Sequence, residues 1–176
     1  MDWGRRWFLQ GALAILGGAR RLVGSPAPEQ GPPSGGAGAT ARLAPGCKVF
    51  TVSQAQTVEA VAEQIIPADD HPGAKDAGVL FYIDRSLAGD LRRFRKRYES
   101  GLILVEQTSR AAYGKPFTEL KWEQQTSVLQ KLESDPGEGG EFFRLIRQHT
   151  MEGYYGDAKY GGNRDYVSWK MLGFKG

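Results

Sequence analysis

Cysteine is all but missing from this chain. Cys47 is the single one in 176 residues, which excludes an internal disulfide, a cysteine-based metal cluster and a Cys-x-x-Cys-His haem attachment. Histidine is nearly as scarce. His71 and His149 are the only two; they fall in different elements, and neither has a second ligand at a helical step of four. Gly-x-Gly-x-x-Gly, the phosphate-binding loop pattern and Gly-x-Ser-x-Gly are all absent. Asp69, Asp70, Asp76 and Asp84 lack the spacing of a calcium loop and read as helix caps and solvated charges. No apolar run reaches the length of about 18 residues that a spanning helix needs. Excess charge is missing too. The formal net charge is +3, but Arg5, Arg6, Arg20 and Arg21 lie within residues 1–39 against only Asp2 and Glu29. The rest is close to neutral, which removes most of the case for a nucleic-acid binder.

What is present begins with an address. Residues 1–23 combine a basic start with the short apolar stretch Trp7 to Gly18, the build of a secretory signal. Arg5, Arg6, Phe8 and Leu9 form an Arg-Arg-x-Phe-Leu pattern that resembles a twin-arginine signal, with Gly4 and Gln10 departing from its usual flanks. Residues 24–48 are rich in Gly, Pro and Ala and read as a disordered linker. They hold two candidate cleavage sites, Ala37-Gly38-Ala39 and Ala39-Thr40-Ala41, and Cys47 at the domain edge. The twin-arginine route exports folded proteins. A short chain without a cofactor motif gains little from it unless it leaves with a partner that has already bound its cofactor.

Residues 49–176 read as a single all-α domain of about five helices. Thr51-x-x-Gln54 has capping-box spacing and opens a helix to Ile66. Ala55, Val58, Ala62 and Ile65 share a face of it, and Pro67 ends it. Val79 to Leu87 is a short helix that Asp76 could cap. Asp90 to Tyr113 reads as one long helix with an apolar stripe through Leu91, Phe94, Tyr98, Leu102 and Val105. Gly101 is a blemish in it, costing about 1 kcal/mol against Ala. Its basic run Arg92–Arg97 is a solvated face or an ionic contact for an acidic partner. A fourth helix opens with Thr118 as N-cap and closes at Asp135-Pro136-Gly137. Phe142, Leu145, Ile146 and His149 mark a fifth, ended by Gly153 and Gly156. His149 sits beside its apolar face and reads as a packed histidine rather than a catalytic base.

Residues 152–176 hold six glycines and six aromatics without periodicity. They read as an extended Gly/aromatic C-terminal tail, laid over the chain's own helices or a partner's. Tyr154, Tyr155, Tyr160, Asn163, Arg164, Asp165 and Trp169 combine aromatics with a fork-shaped cation, the mix enriched at interface hot spots.

Glu152-Gly-Tyr-Tyr-Gly-Asp, Tyr160-Gly-Gly-Asn-Arg-Asp and Trp169-Lys-Met-Leu-Gly-Phe resemble the C-terminal signature of the gluconate 2-dehydrogenase subunit 3 family. Ile65-Ile66-Pro67-Ala68-Asp69, Pro72-Gly73-Ala74, and Ala77-Gly78 through Ile83-Asp84 are similar to its N-terminal signature. The likeness covers about residues 50–176. It departs at Ala158, Tyr166 and Lys175, where proline, glycine and proline are common. The resemblance implies a small non-catalytic subunit of a periplasmic dehydrogenase associated with the inner membrane. No cofactor is implied in this chain. FAD is implied in a partner of the glucose-methanol-choline oxidoreductase type and haem c in a multihaem cytochrome partner. The small subunit is then expected to assist maturation of the flavin subunit, to take it out through the twin-arginine translocase, and to stay bound to it. From the residues alone, a free-standing helical binding protein or a small periplasmic enzyme remains open.

Overall fold

A computed structural model describes residues 42–175, which belong to the compact unit Ala39–Gly176; a first unit spans Met1–Gly38. Arg5, Arg6, Phe8 and Leu9, both candidate cleavage sites and most of the linker lie outside the described residues. Among the described residues there are six α-helices and no strand, only an isolated antiparallel bridge between Leu43 and Thr51.

That bridge moves the start of the folded region upstream of residue 49. Residues 42–51 turn back on themselves: the Ala44 N–H donates to the Phe50 carbonyl at 2.9 Å, and the Val52 N–H to the Arg42 carbonyl at 3.2 Å. The tip is pinned by a distant residue. The Asp84 carboxylate accepts the backbone N–H groups of Lys48, Val49 and Phe50 at 2.7, 2.9 and 3.1 Å. Composition alone reads residues 42–48 as linker, because the acid that orders them lies more than thirty positions away.

Helix α1 (Val52–Ile65) opens with the expected reciprocal cap. Thr51 Oγ1 accepts the Gln54 N–H at 3.3 Å, and Gln54 Oε1 accepts the Thr51 N–H at 3.0 Å. Its buried face holds Ala55, Val58, Val61 and Ala62, while Ile65 is only half-buried. Helix α2 (Val79–Ala88) starts from Gly78 at φ 70° without a side-chain cap, so Asp76 does not serve it. A 3-10 turn (Arg92–Phe94) leads into α3 (Arg95–Tyr113), splitting the single helix expected from Asp90. Phe117–Glu119 is another 3-10 turn, and α4 (Trp122–Glu133) begins after it. Gln124 Oε1, rather than Thr118, satisfies the first orphan donor, accepting the Lys121 N–H at 3.0 Å.

Helix α5 (Glu138–Tyr155) is central and touches each of the other five helices. Its first turn is held by Asp135, whose Oδ2 accepts the Gly139 N–H at 2.8 Å. It runs straight through Gly153 and stops at Gly156. The missing side chain at Gly153 lets the Tyr82 ring close on the helix; a Cβ there would sit 2.8 Å from the ring. Gly101 has the same function in α3, since a Cβ at that point would collide with the Phe142 ring.

The core between these helices is aromatic and aliphatic: Phe50, Tyr98, Phe117, Phe142, Phe143, Ile83, Leu87 and Ile146 are all essentially inaccessible. His149 is part of it. Its ring lies nearly parallel to Tyr98, its Nδ1 is 3.0 Å from the Tyr98 hydroxyl, and Phe94 meets it edge-on. Burial lowers its pKa below the usual 6.5, which keeps it neutral.

Residues 156–175 do not stay extended. They form two 3-10 turns, Ala158–Tyr160 and Arg164–Tyr166, and a sixth helix α6 (Val167–Leu172) lying against α5.

Candidate functional site

The C-terminal segment is a strap whose turns are tied by its own polar side chains. Asn163 is fully buried at φ 44°, a left-handed conformation that Asn tolerates better than most residues. Its Nδ2 donates to the Gly156 carbonyl at 2.9 Å. Its Oδ1 accepts both the Ser168 N–H at 3.1 Å and the Ser168 hydroxyl at 2.9 Å. Asp165 and Tyr166 follow, both at φ 56°. Three left-handed non-glycine residues within four positions make this the most strained stretch described; each costs on the order of 1–3 kcal/mol.

The seven residues singled out in the tail divide by direction. Tyr154 is 1% exposed and its hydroxyl donates to the Pro72 carbonyl at 2.6 Å, so it faces the chain's own interior. Burial raises its pKa. Asn163 is likewise spent inside. Neither can touch a partner directly: Tyr154 ties α5 to the loop at Pro72, and Asn163 ties the turns of the strap together. Tyr155 stands edge-on to Tyr154 at 4.9 Å, and burial pushes its hydroxyl up to about 12. Trp169 is half-buried: its indole N–H donates to the Tyr155 carbonyl at 2.8 Å, while its ring meets Tyr166 at 5.2 Å and Phe174 at 4.9 Å. Tyr160, Arg164 and Asp165 face outward.

Two surfaces result. One is an aromatic cluster in which Trp169 forms the base, with Tyr166, Leu172 and Phe174 at 45%, 52% and 59% exposure around it. Leu172 and Phe174 are not among the residues the tail's composition singles out, because nothing in a glycine-interrupted stretch tells which apolar side chains will be left outside. Such a patch is what a docking partner would cover. The other is a cleft of about 350 Å³ where the 42–51 hairpin, α2 and the strap meet, bordered by Lys48, Phe81, Arg85 and Arg164. Its cations come from three distant stretches of sequence, and only the fold assembles them.

A second open groove, about 540 Å³, runs between α1 and α4 past Trp122. Its acids are already engaged. Glu59 pairs with Lys75 at 3.2 Å, and the Glu63 carboxylate accepts the Ala68 and Lys75 N–H groups, both at 2.9 Å. Among the described residues no group of three or more His, Cys, Asp or Glu is placed to hold a metal ion. No described helix is long and apolar enough to cross a membrane. Cys47 lies beside Asp84, and burial followed by the Asp84 charge pushes its thiol up to about 11, so it is protonated and a weak nucleophile.

No curated protein and no solved structure gives a significant match to the chain. The profile of the family described as gluconate 2-dehydrogenase subunit 3 does match, over residues 52–176, which takes in all six helices and the strap. The protein belongs to the gluconate 2-dehydrogenase subunit 3 family.

Proposed function

We propose that the chain is the small, non-catalytic subunit of a periplasmic FAD-dependent gluconate or sugar dehydrogenase associated with the inner membrane. In this reading a flavin subunit of the glucose-methanol-choline type oxidises the sugar or sugar acid, and a multihaem cytochrome c takes the electrons. The small subunit helps the flavin subunit mature, carries it through the twin-arginine translocase on the strength of Arg5 and Arg6, and stays bound to it.

The observation that carries this reading is the family match over residues 52–176. Two features of the chain agree with it. Arg5-Arg6-Trp7-Phe8-Leu9 gives the pair an address that the flavin subunit could borrow. The aromatic cluster on the strap gives the two proteins an apolar surface to share.

The test is replacement of both arginines, Arg5→Lys with Arg6→Lys. The double variant should leave this chain and the flavin subunit together in the cytoplasm, with periplasmic dehydrogenase activity lost. Unchanged periplasmic activity would remove the escort role. The purified subunit alone should bind no flavin or haem and oxidise no sugar, and a stoichiometric chromophore in that material would overturn the non-catalytic assignment.

A further inference from the structure

The cleft between the hairpin, α2 and the strap is built with unusual care for a surface feature. Three left-handed glycines surround it, and each brings backbone close to one of its side chains. Gly46 (φ 78°) lies against Phe81, where a Cβ would stand 3.1 Å from the ring. Gly78 (φ 70°) lies against Arg164, where it would stand 3.2 Å from the guanidinium. Gly161 (φ 105°) lies against Arg85, at 3.5 Å. The Arg164 guanidinium rests 5.6 Å from the Phe81 ring centre, and its backbone N–H donates to the Ala77 carbonyl at 2.9 Å. Arg85 Nη1 donates to the Lys159 carbonyl at 3.0 Å. The two guanidinium groups are therefore positioned, yet most of their N–H donors stay available.

Charge in the cleft is unbalanced. Lys48, Arg85 and Arg164 border it, and among the described residues none of the three forms an ion pair. The one acid present, Asp84, already accepts three backbone N–H groups from residues 48–50. Asp84 thus already fills the backbone N–H cradle of residues 48–50. An incoming anion must therefore be held by side-chain cations over an aromatic floor. Forked guanidinium donors match the two oxygens of a carboxylate. A phosphate suits the same forks but gains most where backbone donors join them, and those of residues 48–50 are engaged by Asp84.

We infer that this cleft receives a carboxylate-bearing segment of the flavin subunit, gripped by Arg85 and Arg164 with Lys48 at the rim. The inference rests on the subunit reading above and adds to it a second point of attachment, polar where the Trp169 cluster is apolar. Exposed Tyr160 stands next in sequence to Gly161, so the cleft has an aromatic neighbour of the kind that anchors interfaces.

A carbodiimide joins a carboxylate directly to an amine, and Lys48 supplies the amine at the cleft. In the native complex, cross-linking followed by mass spectrometry should join Lys48 to an Asp, a Glu or the C-terminal carboxylate of the flavin subunit. Lys48→Arg should keep the flavoprotein bound and lose that cross-link. Arg85→Glu and Arg164→Glu should each lower the retained flavoprotein by about tenfold at low salt, whereas Arg110→Glu on α3 should leave it unchanged. Circular dichroism of each variant checks that it is folded. Full retention in both reversals, or a Lys48 cross-link only to this chain's own Asp2 or Glu29, overturns the docking cleft and leaves the subunit reading standing. So does a rise in melting temperature with inorganic phosphate that Arg85→Glu abolishes, which would reassign the cleft to phosphate. A wild-type chain that retains no flavoprotein at all overturns the subunit reading itself.

Discussion

The Phe142 ring of α5 occupies the space in which a side chain on Gly101 of α3 would have to lie. The two helices can cross this closely only because position 101 has no Cβ. The intrinsic helix penalty of glycine, about 1 kcal/mol, is small beside the cost of forcing atoms into a filled core, about 1–3 kcal/mol or more. Gly101→Ala, which would stabilise an isolated helix, is therefore expected to lower the melting temperature of this protein. Thermal unfolding followed by circular dichroism reads the sign directly.

Asp84 links α2 to the hairpin through three hydrogen bonds to a charged acceptor. Removing it strands N–H groups at a site where Asp84 itself is 2% exposed. Asp84→Ala should cost about 3 kcal/mol or more, since hydrogen bonds to a charged group contribute about 1.5–3 kcal/mol each. Asp84→Asn keeps one acceptor oxygen and should lose roughly half as much. Proteolysis near residue 48 should rise in the Ala variant, in step with the lost stability.

His149 makes the domain sensitive to acid. Burial lowers its folded-state pKa, against an opposing push from Glu152 and a supporting one from Arg93. The unfolded chain then binds more protons than the folded one once the pH falls below the ordinary value of 6.5. Stability is fully present above that value and declines as the pH drops through the folded-state pKa. His149→Gln should lower stability at neutral pH, because the Tyr98 partner is disturbed, yet flatten the decline on the acid side. Urea unfolding at a series of pH values between about 7 and 5 gives both slopes.

In the proposed complex the strap's inward residues serve folding and its outward ones docking, and variants should separate the two. Asn163→Ala removes three hydrogen bonds, two of them buried, and should lower the melting temperature of the free subunit. Phe174→Ala and Leu172→Ala remove exposed surface and should leave that temperature nearly unchanged while reducing capture of the flavin subunit. Trp169→Ala should do both, because its indole N–H holds Tyr155 while its ring carries the cluster. Truncating such an anchor costs about 2 kcal/mol, roughly thirtyfold in affinity. Loss of stability in every one of these variants, with capture unaffected, would leave the strap a purely internal brace.

Tyr166 tests strain against contact. It stands at φ 56°, a left-handed backbone that glycine adopts without steric cost. Tyr166→Gly relieves a left-handed backbone worth about 1 kcal/mol or more and gives up an aromatic contact worth about 0.5–1.5 kcal/mol. The free subunit should hold or slightly raise its melting temperature while capture of the flavin subunit weakens.

What was legible in the sequence was what is local. Thr51 and Gln54 cap each other across three residues, so the start of α1 could be read from spacing. The apolar step through Tyr98, Leu102 and Val105 gave α3 in the same way. What failed to show depends on distant partners. Gly101 reads as a defect until Phe142 is brought against it, and Gly153 reads as a stop until Tyr82 packs there. Lys48 reads as linker until Asp84 gathers its N–H group. The tail reads as extended because glycine and aromatics show no period, yet Asn163 supplies the bonds that fold it. Of the residues that composition singles out in the tail, Arg164 lies outward and Trp169 is half-buried, while Tyr154 and Asn163 turn inward. The partners Lys48, Arg85 and Phe81 were beyond reach, since no local pattern joins them.

The hairpin also sets where the chain can be cut. The Val52 N–H reaches back to the Arg42 carbonyl, and Leu43 bridges Thr51. A protease that trims at or before residue 41 leaves every one of these bonds intact. A cut immediately before Cys47, as lipid attachment there would require, discards Arg42, Leu43 and buried Ala44 and unfastens the leading edge of α1. Residue 41 is thus the latest point at which a cut would leave the hairpin's fastening to α1 whole.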